Sequence, residues 1–129
     1  MGVWLITGTS TGFGRGLTER LLERGDQVIA TARQVEQIQD FAERFGERVL
    51  TLPLDVTQSE DPERAVAAGL ARFGRIDGLV NNAGYGYFAT QEEGDLPKVE
   101  QMFQVNVFGL VRMTQAVLPV MRTQGRGLV

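Results

Sequence analysis

The apolar positions of this 129-residue chain fall into two alternating periods. Val3-Trp4-Leu5-Ile6 is a short unbroken apolar run that stops at a glycine-rich stretch, the pattern of a strand buried on both faces. Phe13, Leu17 and Leu21 then recur at helical spacing, and Arg24-Gly25 closes that helix. Val28–Ala32 predicts a second buried strand. Val35, Ile38, Phe41 or Ala42, and Phe45 predict a second helix, stopped by Gly46. Val49–Pro53 reads as a third strand. Ser59 or Asp61 is placed to cap a third helix with Pro62 in its first turn, and Ala65, Val66, Leu70 and Phe73 face inward until Gly74. Leu79-Val80 leads a fourth strand into Asn-Asn-Ala-Gly. A longer amphipathic helix follows from Lys98 to Thr123, with Val99, Met102, Phe103, Leu110, Val117 and Met121 among its apolar positions.

Apolar strands alternating with amphipathic helices imply a parallel sheet covered on both faces and joined by right-handed crossovers: an α/β, doubly wound architecture. The chain shows no solenoid repeat, low-complexity segment or linker, so residues 1–129 are expected to form a single domain.

Composition narrows the chemistry. The chain is 43% hydrophobic and 22% charged, enough apolar material for a core. Net charge is −3, and twelve arginines and one lysine, Lys98, are spread without a basic run, so neither a nucleic acid nor a membrane is expected as partner. Without cysteine there is no disulfide and no thiolate metal site; without histidine there is no imidazole base, and no metal centre is expected. No apolar run approaches the ~18 residues of a membrane span. The start lacks the charged and apolar regions of a signal peptide. Met1-Gly2 does not make a myristoylation signal, because Ile6 stands where Ser or Thr is required. The expected setting is cytoplasmic.

Gly8, Gly12, Gly14 and Gly16 crowd the turn from the first strand into the first helix. In a doubly wound sheet this is where a pyrophosphate meets a helix N-terminus. Glycine there lets the turn take positive φ, lets backbone approach phosphate, and lets the helix lie tight on the strand. The spacing is Thr7-Gly8-x-x-x-Gly12-x-Gly14, neither Gly-x-Gly-x-x-Gly nor a P-loop, and a purely structural turn remains the competing reading.

The stretch TGTSTGFG, Thr7 to Gly14, resembles the cofactor motif of the short-chain dehydrogenase/reductase family. Three further stretches resemble that family in order and spacing: LPLDVT at Leu52–Thr57, LVNNAG at Leu79–Gly84, and VNVFG at Val105–Gly109. The resemblance covers essentially all 129 residues. It implies a Rossmann-type fold and hydride transfer between a nicotinamide cofactor and an alcohol or carbonyl substrate.

By resemblance, Gly8, Ser10, Thr11, Gly12, Phe13 and Gly14 form the phosphate loop. Asp55 accepts from the adenine amino group and the Val56 amide contacts the ring. Asn81 ties neighbouring strands together, and Asn82, Ala83 and Gly84 line the ribose. Asp55 as a turn cap and the two asparagines as ordinary turn residues are the plainer alternatives. Tyr85 and Tyr87, on the following loop, are expected to pack rather than cover substrate.

Cofactor choice turns on the end of the second strand, where an NAD enzyme needs an acid for the ribose 2′-hydroxyl. The nearest acid, Asp26, lies at the wrong end, and the strand ends Ala30-Thr31-Ala32-Arg33. Arg33 offers a planar donor fork to a 2′-phosphate, with hydroxyls from Ser10 and Thr11, so NADP(H) is expected over NAD(H). A solvated loop arginine is the alternative.

Family members carry a Ser on the fifth strand and a Tyr-x-x-x-Lys pair on the next helix; this chain has no Tyr-x-x-x-Lys. Asn106, in the Asn-containing segment of the long helix, is the one catalytic-site residue implied here, linked by resemblance through water to that lysine. Gly125–Val129 resembles the turn into a fifth strand, so the domain is expected to continue, with these residues as its cofactor-binding half. A non-catalytic NADP(H)-binding or regulatory module is the alternative. An S-adenosyl methyltransferase is disfavoured by the missing acid at Ala32. Phe103, Phe108 and Val111 suit either a homo-oligomer contact through the helix 98–123 or a buried face within the chain.

Overall fold

The computed structural model describes residues 1–129. Its elements run β1 (Val3–Ile6), α1 (Gly12–Arg24), β2 (Gln27–Ala32), α2 (Gln39–Phe45), β3 (Val49–Pro53), α3 (Asp61–Phe73), β4 (Gly78–Val80), α4 (Leu96–Phe103) and α5 (Leu110–Gln124). All pairings are parallel, and the sheet order is β3-β2-β1-β4. Parallel neighbours require crossovers, and each crossover carries a helix, giving the Rossmann-type α/β layers that the alternating periods imply.

Period two along the strands divides the core between the two faces. Val3, Leu5, Ile29 and Leu79 point to one side and pack with Ala65 and Val66 of α3 and Met113, Val117 and Met121 of α5. Ile6, Val28, Ala30 and Ala32 point to the other and pack with Leu21 and Leu22 of α1 and Phe41 of α2. Leu70 and Phe73 lie half-buried at the fringe of the first cluster. No helix is long and apolar enough to cross a membrane.

Four local expectations change. The inward face of α1 is Gly14, Thr18, Leu21 and Leu22; Phe13 is 93% exposed and Leu17 38%. The first turn of α1 lies so close to Gly8 and Asn82 that only a glycine fits at position 14, and the bulky residues turn outward. The second helix begins as a tighter 3₁₀ turn at Val35–Ile38. Neither Ser59 nor Asp61 caps α3: Glu60 precedes it, no side chain caps it, and Asp61 is its first residue. The carboxylate of Asp61 is engaged instead by the Asp55 N–H at 2.9 Å and by Arg64.

The long helix is not one regular helix. A π-helical segment, Gln104–Gly109, separates α4 from α5. The widened turn rotates the helix faces relative to one another. Gly109 is buried against Val56, Asn106 faces Tyr85, and Phe103, Val107, Phe108, Leu110 and Val111 stay 43–50% exposed. After Gly125 the chain turns back to the sheet edge, and Leu128 makes a single parallel bridge to Gly78.

Candidate functional site

The carboxyl ends of the strands open into a cleft of about 470 Å³, lined by the glycine loop, Ala32 and Arg33, Leu54 to Val56, Asn82 to Tyr85, and Gln101 and Val105. Every cofactor residue expected from the sequence lies on it except Gly14.

Gly14 serves the cleft from beneath. A side chain there would collide with the Gly8 carbonyl and with Asn82. Gly8 and Gly12 take positive φ, 70° and 60°, which bends the backbone back over the start of α1. Thr11 stands before that helix without capping it and no acid lies in its first turn, so the first N–H groups, at the cleft-lining Gly12 and Phe13, are left as donors. Ser10 and Thr11 hold their hydroxyls beside them, without partners in the chain.

A frame of buried hydroxyls, absent from the sequence-based expectation, fixes this loop. Thr7 Oγ1 accepts from the N–H groups of Asn82 and Ala83, both at 3.0 Å. Thr9 Oγ1 donates to Thr31 O at 3.1 Å, and Thr31 Oγ1 to Ile6 O at 3.0 Å. Thr18 Oγ1 donates to Gly14 O at 2.7 Å. These threonines sit among apolar neighbours and do not disturb the periodicity. Only the pairing of strand ends shows what their hydroxyls bond.

The strand tie implied for Asn81 falls instead to Asn82, which also lines the cleft. Asn82 is the tie: its Nδ2 donates to Thr7 O at 3.1 Å and Gly8 O at 3.0 Å, joining the ends of β1 and β4. Asn81 reaches α5 instead, donating to Thr114 Oγ1 at 3.2 Å, and its buried Oδ1 has no partner. Its neighbour on the helical side, not a strand, decides this.

Asn106 is not on the cleft wall. Its Oδ1 accepts from Tyr85 N at 3.0 Å and its Nδ2 donates to Tyr85 O at 2.7 Å, a two-point clamp on the backbone of one loop residue. A Cβ on Gly84 would lie 3.1 Å from the same Oδ1, so that glycine lets the clamp close. Tyr85 lines the cleft at 44% exposure, whereas Tyr87 accepts from Asp95 N at 3.1 Å and braces the loop. The packing expectation therefore suits Tyr87 and not Tyr85.

The charged lining is one residue of each sign, Arg33 and Asp55. Asp55 Oδ1 receives the N–H and hydroxyl of Thr57 at 2.9 and 2.6 Å, so its turn role is present; Oδ2 has no partner in the chain. Arg33 is exposed, with no carboxylate in ion-pair range, and β2 ends beside it at Ala32. Asp26 lies at the opposite, amino end of the strands, fully buried, where it accepts from Gly2 N at 2.9 Å and pairs with Arg24.

A parallel sheet with an uncapped helix N-terminus under a glycine turn is the dinucleotide-binding class of α/β domain. The family model described as short chain dehydrogenase matches residues 2–129, and the chain belongs to that family of oxidoreductases. It is 43% identical over 126 residues to "Oxidoreductase BOA17" of Botryotinia fuckeliana, covering 97% of this chain and 46% of that protein. It is 40% identical over 124 residues to the NADP-dependent 3-hydroxy acid dehydrogenase YdfG of Salmonella typhi, covering 95% of this chain and 50% of the relative. A crystal structure of a short-chain dehydrogenase from Streptomyces avermitilis superposes with a TM-score of 0.93 at 42% identity, over 99% of this chain and 48% of that one. The chain thus spans about half the length of the relatives it matches.

Proposed function

We propose that these residues form the NADP(H)-binding half of an oxidoreductase that interconverts alcohols and carbonyls. The observation that carries this reading is the unpaired Arg33 guanidinium beside Ala32, where an NAD site needs an acid. NADP-dependent relatives such as the Salmonella typhi enzyme support it.

The cleft fits the group on features of its own. Free N–H donors at the start of α1, the glycine positions where a Cβ would collide, and the unpartnered Asp55 Oδ2 match the phosphates and base of a dinucleotide. Gly12 to Gly14 donate backbone N–H groups to the pyrophosphate, with Ser10 and Thr11 adding hydroxyls. Phe13, 93% exposed at the loop tip, covers it from solvent. Arg33 takes the 2′-phosphate. Asp55 Oδ2 accepts from the adenine amino group, Val56 contacts the ring, and Asn82, Ala83 and Gly84 border the ribose. The nicotinamide, when bound, supplies or takes the two electrons that convert carbonyl and alcohol. Asn106 holds the backbone of Tyr85, which walls the substrate end, so it is a positioning residue.

Calorimetry with NADPH and NADH tests the reading. Binding is expected to favour NADPH, and Arg33→Ala is expected to lower NADPH affinity about tenfold or more with little change for NADH. Equal affinities that Arg33→Ala leaves equal would refute it.

A second reading is a binding module without turnover. Residues 1–129 alone are expected to bind NADPH and not reduce carbonyl substrates; turnover by them would count against this. The remaining parts of the proposal are a cytoplasmic setting, a small-molecule alcohol or carbonyl substrate, and a second copy of the chain covering the exposed apolar face of residues 103–111.

A further inference from the structure

The chain leaves β3 for α3 through a turn that begins on the cleft, at Leu54 and Asp55. Leu54 N still donates across the sheet to Ala32 O at 2.9 Å, the last bond of the β2–β3 ladder. β3 is an edge strand, so no further strand lies on its outer side to take the N–H of Asp55. A backbone N–H without a strand carbonyl needs another acceptor. The sequence supplies one six residues on, where Asp61 Oδ2 accepts from Asp55 N at 2.9 Å. The turn between them is closed by Gln58 N donating to Asp55 O at 3.0 Å and by Asp61 N donating to Gln58 O at 3.3 Å.

These bonds consume all but one of the polar groups of Asp55. Its N–H goes to Asp61, its carbonyl to Gln58, and its Oδ1 to the N–H and hydroxyl of Thr57. Only Oδ2 is left. With Oδ1 held by two donors the carboxylate does not turn freely, so the heading of Oδ2 follows the Asp55 backbone. Asp61 is the side chain that grips that backbone. Arg64, itself exposed, pairs with the other oxygen of Asp61 and leaves Oδ2 of Asp61 to the Asp55 N–H.

We infer that Asp61 is a positioning residue of the dinucleotide site: by accepting the Asp55 N–H it sets the direction in which Asp55 Oδ2 meets the adenine amino group. The inference rests on the cofactor reading above and deepens it. A hydrogen bond to a carboxylate weakens steeply once its angle is lost, so an acceptor that is free but misdirected reads the base poorly. Asp61 never touches the cofactor in this account; it acts through Asp55. An acid in the first turn of α3 also favours the helix N-terminus, and that structural role is separable. Asp61→Asn loses the charge and keeps a carbonyl oxygen for the Asp55 N–H, whereas Asp61→Ala loses both.

The test is calorimetric binding to the 129-residue chain of NADP⁺ and of its purine analogue, in which hydrogen replaces the adenine amino group. The wild-type chain is expected to prefer NADP⁺ by about tenfold, the worth of one hydrogen bond to a charged group. Asp61→Ala is expected to weaken NADP⁺ by roughly fivefold and to leave the analogue unchanged, so the preference collapses. Asp61→Asn should keep the preference to within about a factor of two, because the acceptor is retained. Arg64→Ala, which removes only the outer partner of Asp61, should keep it as well and controls for lost stability at the start of α3. Thermal melts without ligand check that each variant is folded. A wild-type preference in folded Asp61→Ala, an equal loss for both probes, or a collapse in Asp61→Asn as complete as in Asp61→Ala would overturn the assignment and leave the cofactor reading intact. Equal binding of both probes by the wild-type chain would remove Asp55 from base reading and this inference with it. Failure of the folded wild-type chain to bind either probe would overturn the cofactor reading as a whole.

Discussion

Thr7 carries more of the site's geometry than any glycine. Its hydroxyl accepts two backbone N–H groups from the turn after β4 and is 2% exposed, so no water can replace it. Thr7→Val keeps the shape and leaves two buried donors without an acceptor. The expected cost is about 2–6 kcal/mol, at 1–3 kcal/mol for each unsatisfied group, read as a lower urea midpoint. Gly14→Ala acts by contact instead. The Gly8 carbonyl and the Asn82 amide already occupy the space of a methyl group. A loss of roughly 3 kcal/mol or more is expected, since backbone on one side cannot give way. Because both partners line the cleft, NADPH affinity should fall with it, and wild-type stability and affinity in Gly14→Ala would contradict the packing described.

The helical run from Leu96 to Gln124 is the element whose irregularity matters. A regular helix would give all its turns a common facing; the π segment lets Gly109 meet Val56 while Asn106 meets Tyr85. Asn106→Ala removes both bonds to the Tyr85 backbone and leaves its N–H to solvent. Amide exchange at Tyr85 is expected to accelerate by about fivefold, in keeping with the loss of a hydrogen bond worth ~1 kcal/mol. Exchange in β1 and β2 should not change. Uniform acceleration across the sheet would show that the asparagine supports the fold as a whole and not this loop.

At the scale of the whole molecule, the amino ends of the strands, opposite the cleft, are held by two Arg-x-Asp segments. Asp26 accepts from Gly2 N, and Asp77 accepts from Val3 N at 2.8 Å, each with an arginine two residues before it. Burial pushes the Asp77 carboxyl up. The Arg75 hydrogen bond, the Val3 N–H and the charges of Arg75 and Arg126 outweigh it and hold Asp77 below its ordinary value of 3.8. A carboxylate with a lowered folded-state pKa stabilises fully above the unfolded value, and that stability is lost as pH falls through the lower folded value. Wild-type stability should therefore drop on acidification below about pH 4, and Asp77→Asn should drop less over the same window while being less stable at neutral pH. Trp4, the single tryptophan, packs over Gly78 next to Asp77 in sequence and reports the transition by fluorescence. An identical pH dependence in Asp77→Asn would remove Asp77 from the account.

The order of strands and helices, the two-sided core and eleven of the residues that meet in the cleft were legible in the chain, because periodicity and glycine placement are local properties. Motif resemblance extended that to the family. Where reading failed, contacts between distant segments decided. Phe13 faces outward because Gly8 and Asn82 leave no room at position 14. Asn82 rather than Asn81 joins the strand ends, because the peptide after β4 aims the second asparagine at β1 and the first at α5. Gln101 and Val105, which line the cleft, come from the helical run whose π segment meets Val56 at Gly109, across more than fifty residues of sequence. Local pattern determined which elements form and what chemistry they carry. Only the approach of one backbone to another decided which side chains share the cleft, since steric fit and hydrogen-bond reach are properties of the packed chain.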